Sequence, residues 1–503
     1  MNESFTKIAY IGAGSFRFSS GLFLDICRAK ELSPLEVALC DIDPRSLYIM
    51  EKMFINMAKK AKRLNGIDIK IRSTTNREDI LENADVVYKS ISVGIQEAEW
   101  YDIHLPYKLG IPQNTGDTVG PGGVFRGLRT NPVVADIARD MKRLCPKAML
   151  LNYTNPQATT VLAAHTVAPN IQYIGLCHEL FGGMKTLQSF FNNKLNYTIP
   201  EWQDFDFEYA GVNHFAWITK LYYKGEDLYP KLREHAHGLY LKNYKNRGFN
   251  FHLLEKYGWY PYPGSRHIAE FLPDYYNYFN HKIQSPHWKF PVLRNVRLLE
   301  TARKAAYLIF KIIGTGLWIP KPRSSGELAI EMTTAMLSDV PTKFVVNLPN
   351  AGGIIPQLPD DSVVEVPAVF NDGKIAPVSP INIDPTIASL LRSHAEQHRY
   401  TVSAALGNDL DLVVKAMLHD PMNQWIEDPD RIEYLTKLML YYEQRWLPDE
   451  WKEWIPKEQE LKESKWWVSP KDLRKLGRKY KEKKFSLTQN LKSKAYFDSM
   501  VFD

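Results

Sequence analysis

The first half of the chain alternates short apolar, β-branched runs with amphipathic stretches. "KIAYI", "PLEVALC", "IKIRST", "ADVVYKSIS", "AMLLNY" and "IQYIGLC" predict strands near 6–11, 35–41, 68–74, 84–92, 147–152 and 171–177. Helical spacing between them predicts helices near 18–31, 44–64, 130–144 and 156–167. Strands of this kind, buried on both faces and joined through helices, predict an α/β fold with an N-terminal Rossmann-type, doubly wound parallel sheet. From about residue 200 the order changes: "WQDFDFEYAGVNHFAWITKLYYKG" is strand-rich, helical segments follow near 298–314, 325–338 and 385–419, and 347–370 alternates strands with Pro/Gly turns. This predicts a C-terminal α+β domain for substrate binding and dimerisation. The expected units are 1–195, 196–445 and an extension at 446–503.

Length agrees with more than one core, because single cores stop growing near roughly 250–300 residues and this chain has 503. No run approaches the roughly 18 apolar residues needed to cross a bilayer. "MNESFTKIAYIG" enters a strand with no charged leader or cleavage site, and the four cysteines show no paired spacing. A cytoplasmic enzyme in a reducing compartment is the expectation. The net charge of +6 looks like a nucleic-acid signal, but residues 451–503 hold 14 Lys/Arg against 8 Asp/Glu and account for all of it. That tail, with Trp451, Trp454, Trp466 and Trp467, and Trp446 just before it, reads as a segment wrapping the body or a second subunit. No nucleic-acid module accompanies it.

Gly12-Ala13-Gly14-Ser15 follows a strand and opens a helix, so backbone amides there can meet a pyrophosphate. The usual third glycine is replaced by Arg17. Asp41 ends the second strand, where a carboxylate accepts from ribose hydroxyls and favours NAD over NADP. Asp41 and Asp43 also fit a helix N-cap before Pro44, one residue for each role. In "LLNYTNP", Asn152 and Asn155 sit at a buried strand end, as turn formers or beside the nicotinamide. "NTGDTVGPGGVFRGLR" (114–129) reads as a glycine-rich loop in which Asp117, Arg126 and Arg129 could meet a ligand, or as a solvated surface loop. "IQYIGLC" and "FEYAGVN" end at Cys177 and His214. A two-residue site of that kind is open, so substrate oxygens and water would complete the shell of a divalent cation such as Mn2+. A buried thiol and a core histidine are the plainer alternative.

With "KIAYIGAGS", "DIHLPYKLGIPQNTGDTVGPGGVFRGLR", "NYTNP", "GLCHELFG", "AGVNHFAWITK", "SRHIAEFLP" and "VVNLPNAGG" in order, the chain resembles the family 4 glycoside hydrolases, the NAD- and Mn2+-dependent glycosidases. The Cys-His-Glu form resembles their α-galacturonidase branch. The resemblance implies redox elimination, an exception to two-carboxylate hydrolysis. NAD+ would take hydride from C3, a base would remove the acidified C2 proton, and the metal would stabilise the enediolate across O2 and O3. The aglycone would then leave, water add at C1, and the hydride return.

Carried over residue by residue, the resemblance implies Cys177 and His214 as metal ligands and His178 as general acid. It implies Gly12, Gly14, Ser15 and Asp41 as cofactor contacts, and Phe16 and Asn152 are expected beside them. Asn155, Asp117, Arg126, Arg129, Glu179, Asn213, Arg266 and His267 are the expected substrate contacts, with Lys220 a further cation for a uronate. One departure stands out. Relatives carry Gly-Asp-Arg-His where this chain has Gly264-Ser265-Arg266-His267, so the aspartate expected as C2 base is missing. Tyr262, Tyr260 or Tyr257 is the expected replacement. Substrates other than an α-galacturonide fit the departure too: a glucuronide, galactoside, glucoside or sulfonated sugar. A lactate/malate-type dehydrogenase would not need Cys177, and a non-catalytic sugar or NAD sensor would not need His178. A homo-oligomer, dimer or tetramer, is expected, with no nucleic acid or membrane partner.

Overall fold

The computed structural model describes residues 5–272 and 296–473, apart from 16, 17, 112, 114 and 427. Phe16 and the tail beyond 473 lie outside the described residues. Strands β1 (Thr6–Ile11), β2 (Leu35–Cys40), β3 (Ile69–Thr74), β4 (Val86–Lys89), β5 (Met149–Asn152) and β6 (Gln172–Gly175) pair in parallel in the order β3-β2-β1-β4-β5-β6. Six apolar runs of the sequence therefore become six adjacent parallel strands. Successive side chains point to opposite faces: Tyr10 and Tyr88 join one core cluster, while Ile11 and Val87 join the other. The order reverses between β1 and β4, the crevice at which doubly wound sheets bind ligands.

Helices α1 (Ser19–Ile26), α2 (Pro44–Asn65), α3 (Arg77–Leu81), α4 (Ile95–Lys108), α5 (Gly120–Leu144), α6 (Gln157–Val167) and α7 (Glu179–Leu195) flank these strands. The second half is built from β7 (Asp206–Val212), β8 (Phe215–Tyr223), β9 (Glu226–Asp227), α8 (Tyr229–Leu241), α9 (Gly248–Tyr257), β10 (Tyr260–Pro261), α10 (Ser265–Phe271), β11 (Thr342–Pro349), β12 (Val363–Asn371) and β13 (Lys374–Pro377). Its strands extend the first sheet as β6-β11-β12-β7-β8-β10, all antiparallel. Register aligns Gly175 with Asn347, Asn347 with Glu365, and Glu365 with Gly211. This row sets Asn347 and Glu365 between the segment leading to Cys177 and the hairpin carrying Asn213 and His214.

One expectation changes. The glycine-rich stretch is a loop only as far as Val119; from Gly120 it is the first turns of α5. Glycine and proline lower helix propensity, which hid this start, but here the glycines admit close neighbours. A Cβ on Gly122 would lie 2.7 Å from the Gly116 carbonyl, and one on Gly127 would lie 2.5 Å from Thr401 Cγ2. Arg126 and Arg129 thus leave a helix, not a loop.

The extension packs on the body through Leu473. Trp451 is fully buried, and Trp466 and Trp467 lie against Tyr434, Tyr441 and Tyr442 of the helix Pro429–Glu443. Among the described residues no helix is long and apolar enough to cross a membrane.

Candidate active site

The β1–β4 crevice opens on the glycine turn. Gly12 has φ +84°, and a Cβ there would lie 2.4 Å from the Ser90 carbonyl oxygen, so only glycine fits. The Gly12 and Ala13 amides both donate to the Cys40 carbonyl, fastening the turn to β2. Asp41 accepts from the Gly14 amide (2.8 Å) and the Asp43 amide (2.9 Å). Asp43 caps α2, accepting from the Arg45 amide (3.0 Å) and the Ser46 hydroxyl (2.6 Å). The two acids therefore divide the roles: Asp43 is the N-cap, and Asp41 shapes the turn with lone pairs left for a ribose. Close backbone and a carboxylate at the end of β2 fit a dinucleotide.

Asn152 does something else. It is fully buried, and its amide nitrogen donates to Thr154 O (3.0 Å), Gln157 Oε1 (2.6 Å) and Thr160 Oγ1 (3.0 Å), while its oxygen accepts from the Thr154 amide (3.0 Å). Asn152, the expected cofactor contact, holds the β5 turn together through these bonds, and its oxygen keeps one further lone pair. That turn projects Asn155, whose Nδ2 donates to Asp117 Oδ2 (3.2 Å). Asp117 Oδ1 accepts from the Thr118 hydroxyl (2.7 Å), and Thr118 Oγ1 lies 3.0 Å from His214 Nδ1. Since the Thr118 hydrogen is given to Asp117, Nδ1 of His214 must carry the donated proton. This fixes the tautomer and leaves Nε2 with a free lone pair, as a metal ligand requires.

His214 sits in the two-residue turn between β7 and β8 at φ +64°. That left-handed conformation is uncommon for a residue with a Cβ and marks a position held by its surroundings. Burial, reinforced by neighbouring His267, lowers its pKa to about 4, so the ring is neutral near pH 7. Burial would raise Asp117, but Arg126, His267 and His214 hold it well below the usual carboxylate range. Cys177 lies just before α7, where the Glu179 amide and the Asn213 side chain hydrogen-bond its sulfur; burial and the charges of Glu365 and Glu179 push the thiol up. A cation is the group that would reverse that shift. Cys177, His178, Phe181, Glu327, Leu328 and Met332 line a narrow crevice, with the His178 side chain 57% exposed and its Nδ1 3.8 Å from Glu327.

Glu179 accepts from the Gly264 amide (2.6 Å) and lies 3.9 Å from His267 Nε2. Burial opposes its ionisation, yet His267, Arg247, His178 and His214 bring its pKa to about 2. His267 in turn stacks on His214 with ring centroids 4.2 Å apart. Glu179, His267 and His214 are thus assembled from α7, α10 and a hairpin.

Several expected residues lie elsewhere. Arg129 is fully buried, paired bidentately with Asp102 (2.9 and 2.8 Å) and with Glu443, so it braces α4, α5 and the helix Pro429–Glu443 and does not face a substrate. Lys220 pairs with Glu208 on the outer side of the β7–β8 hairpin. Arg126 remains close, its Nε donating to the Asn155 carbonyl (3.3 Å), and Arg266 is half-buried in α10. The Ser265 hydroxyl donates to Asn250 Oδ1 (2.6 Å) and is buried. Of the three tyrosines, Tyr257 packs on Trp217, the buried Tyr260 neighbours Arg247, and Tyr262 donates its hydroxyl to Glu365.

Two functional carboxylates escaped the sequence reading. Fully buried Glu365 accepts from Tyr262, Asn213 Nδ2 (2.9 Å) and Asn347 Nδ2 (2.9 Å) beneath Cys177 and His214. Glu270 in α10 accepts from the Thr115 and Gly116 amides, holding the loop that presents Asp117. A carboxylate inside the otherwise apolar run "VVEVPAVF" was the available signal for Glu365.

Known proteins share this arrangement of chain. Residues 7–193 match the family 4 glycosyl hydrolases and residues 209–423 match the family 4 glycosyl hydrolase C-terminal domain. An alpha-galacturonidase of Bacillus subtilis is 32% identical over 436 residues, covering 83% of this chain and 93% of the relative. An alpha-galactosidase of the same organism is 33% identical over 420 residues, covering 82% and 93%. The crystal structure of the Bacillus subtilis protein lplD superposes with TM-score 0.78 at 30% identity, covering 86% of this chain and 99% of that one. A 6-phospho-beta glucosidase from Thermotoga maritima, solved with manganese, NAD+ and glucose-6-phosphate, has the same fold at TM-score 0.71 and 21% identity. Matched in both halves and in fold, the chain belongs to the family 4 glycosyl hydrolases.

Proposed function

We propose that this glycosyl hydrolase cleaves α-galacturonides, using NAD in the β1–β4 crevice and a divalent cation such as Mn2+ on Cys177 and His214. The observation that carries the reading is the hydrogen-bonded path from Asn155 through Asp117 and Thr118 to His214. It ties the β5 end of the dinucleotide crevice to a histidine whose Nε2 is free. Alpha-galacturonidases from four organisms are 30–33% identical over most of the chain, which supports the substrate.

When bound in the crevice, the dinucleotide would supply reversible hydride uptake, and a cation held by Cys177 and His214 would polarise the sugar's hydroxyl oxygens. The chain's own groups do the rest. His178, exposed at the crevice mouth, delivers a proton to the leaving oxygen. Asn155 holds a sugar hydroxyl, and Arg126 and Arg266 are the guanidiniums proposed to meet a uronate carboxylate. Tyr262 takes the C2 proton with Glu365 as acceptor behind it. In the conformation described the Tyr262 ring is fully buried, so substrate binding has to uncover the phenol while its hydrogen bond to Glu365 is kept.

The test is release of galacturonic acid from an α-galacturonide with NAD+ and Mn2+, run in D2O while NADH absorbance is followed. Deuterium at C2 without accumulating NADH is the expected result; steady NADH release would refute the reading. A second substrate reading rests on the 33% identity to an alpha-galactosidase, and faster release of galactose than galacturonate would favour it. The protein is further proposed to be a cytoplasmic homo-oligomer, covering the exposed Leu308, Ile312, Leu317 and Trp318. A monomeric mass by light scattering would exclude the oligomer.

A further inference from the structure

We infer that Glu327 is the positioning residue for His178: its carboxylate holds the ring through Nδ1, so that Nε2 aims its proton at the departing sugar oxygen. This rests on the reading of His178 as the acid to the leaving group. His178 is loosely held by its own element. It is the N-cap of α7, yet its side chain makes no capping hydrogen bond to that helix and is largely exposed. A partner at the second nitrogen is what fixes an imidazole as a proton donor. Glu327 faces it across the crevice that both line, with one carboxylate oxygen 3.8 Å from Nδ1. That is an ion-pair separation, longer than a hydrogen bond. Catalytic hydrogen bonds are often long before substrate binds and tighten around it.

Glu327 itself is firmly set, on a strap just before the helix Ala329–Met336. The Ser325 amide donates to Asp25 Oδ1 (2.7 Å) and the Ser325 hydroxyl to Asp25 Oδ2, which ties the strap to α1. The Glu327 amide donates to Ser325 Oγ (3.2 Å), and the Glu327 carbonyl accepts from the Tyr153 hydroxyl (2.8 Å) in the turn after β5. Asp25 and Tyr153 are both buried, so the strap is anchored in the core on two sides. Leu328 follows at φ +57°, a left-handed conformation uncommon for a residue with a Cβ. A surface glutamate needs no such anchoring; one that aims a ring does. Tyr153 and Asn155 share the turn after β5, so the partner of the acid and the sugar-binding asparagine are set by the same piece of chain.

In the elimination step the pair freed at C2 forms the C1–C2 double bond, the C1–O pair goes to the departing oxygen, and that oxygen takes the Nε2 proton. The pair of the broken N–H bond stays on the ring, which becomes neutral with Nδ1–H still directed at Glu327. The carboxylate is ionised throughout. It orients the ring and offsets the positive charge of the acid form, as the aspartate of a catalytic triad does behind its histidine.

The experiment compares two substrates on the full-length protein: an α-linked digalacturonide, whose alcohol leaving group needs a proton, and nitrophenyl α-galacturonide, whose phenolate leaves without one. Glu327→Ala should lower kcat/KM for the digalacturonide about tenfold or more beyond its effect on the nitrophenyl glycoside. Equal losses on both overturn the role, because a merely structural defect does not depend on the leaving group. With the acid already removed by His178→Ala, adding Glu327→Ala should cost less than about twofold further; fully additive losses would show that Glu327 acts elsewhere. Thermal melts confirm that the variants fold. Nitrogen-15 spectra of histidine-labelled protein need no turnover: His178, assigned through His178→Gln, should carry its proton on Nδ1 in the wild type and lose that preference in Glu327→Ala. An unchanged tautomer in the variant overturns the contact. A tautomer that responds, with no hydrolysis of any α-glycoside by the wild type, would refute the functional reading and leave the contact standing; hydrolysis with equal losses on both substrates would do the reverse.

Discussion

Tyr262 and Glu365, 103 residues apart, form a direct hydrogen bond at the centre of the molecule, the phenol donating to the carboxylate. Glu365 is buried and accepts hydrogen bonds from three neutral donors. Burial pushes its pKa up, while the hydrogen bonds from Tyr262, Asn213 and Asn347 oppose that rise. A tyrosine alone is a poor base near neutrality; one backed by a buried carboxylate can pass its own proton on as it accepts another.

Tyr262→Phe should therefore lower kcat by about 10²–10⁴-fold, the usual worth of a positioned base. Ser265→Ala should leave kcat within a few-fold, because that hydroxyl is occupied by Asn250. Steady-state kinetics with an α-galacturonide decides the matter, and loss of turnover in the serine variant with retention in the phenylalanine variant would eliminate Tyr262.

Thr118 acts through His214. Thr118→Val removes the acceptor that fixes the ring tautomer, and should weaken Mn2+ binding by about 10-fold or more. Thr118→Ser keeps the hydroxyl and should restore it. Equal affinities in the two variants, measured by calorimetry, would show that the hydroxyl does not orient the ring.

Gly12→Ala places a Cβ 2.4 Å from a carbonyl oxygen at φ +84°. NAD+ binding, followed by quenching of tryptophan fluorescence, should be abolished at concentrations that saturate the wild type. Undiminished binding would mean that the turn is not the cofactor cradle.

Arg129→Met leaves Asp102 and Glu443 buried without their shared cation. Chemical denaturation should show a loss of about 3–5 kcal/mol, the cost of breaking a buried ion pair from one side. Restoring neutrality with Asp102→Asn in the same chain should recover part of it. A loss under about 1 kcal/mol would place the guanidinium in water rather than in the core.

Acid should destabilise the fold through its buried neutral histidines. Burial lowers His394 to about 4 and His398 to about 3, against 6.5 when unfolded. Between those values the unfolded chain binds more protons, so stability present above pH 6.5 is lost as pH falls toward 4. For His394 the loss is on the order of 3 kcal/mol. Urea midpoints of wild type and His394→Gln at pH 7 and pH 4.5 check it, and parallel declines would show that His394 contributes nothing.

Much of this protein was legible in its order of residues. Period-two apolar runs are local, so β1 to β6 and the Gly12–Gly14 turn could be read directly, and Cys177 and His214 stood out because each closes such a run. Composition also located the charge in the tail. What the pattern could not carry was long-range pairing. Two arginines that read alike as ligand-binding guanidiniums part company, Arg126 at the crevice beside the Asn155 carbonyl and Arg129 in a buried triad, because Asp102 and Glu443 from distant helices claim only the second. Asn152 reads like a site residue and is bonded within its own turn. Glu365 reads like an anomaly in a strand and becomes the carboxylate under the site, through a register that aligns Gly175, Asn347, Glu365 and Gly211. Sequence determines which residues can do chemistry, since that follows from side-chain type and local period. Only the tertiary structure decides which of them share a crevice, since that depends on contacts between strands and helices far apart along the chain.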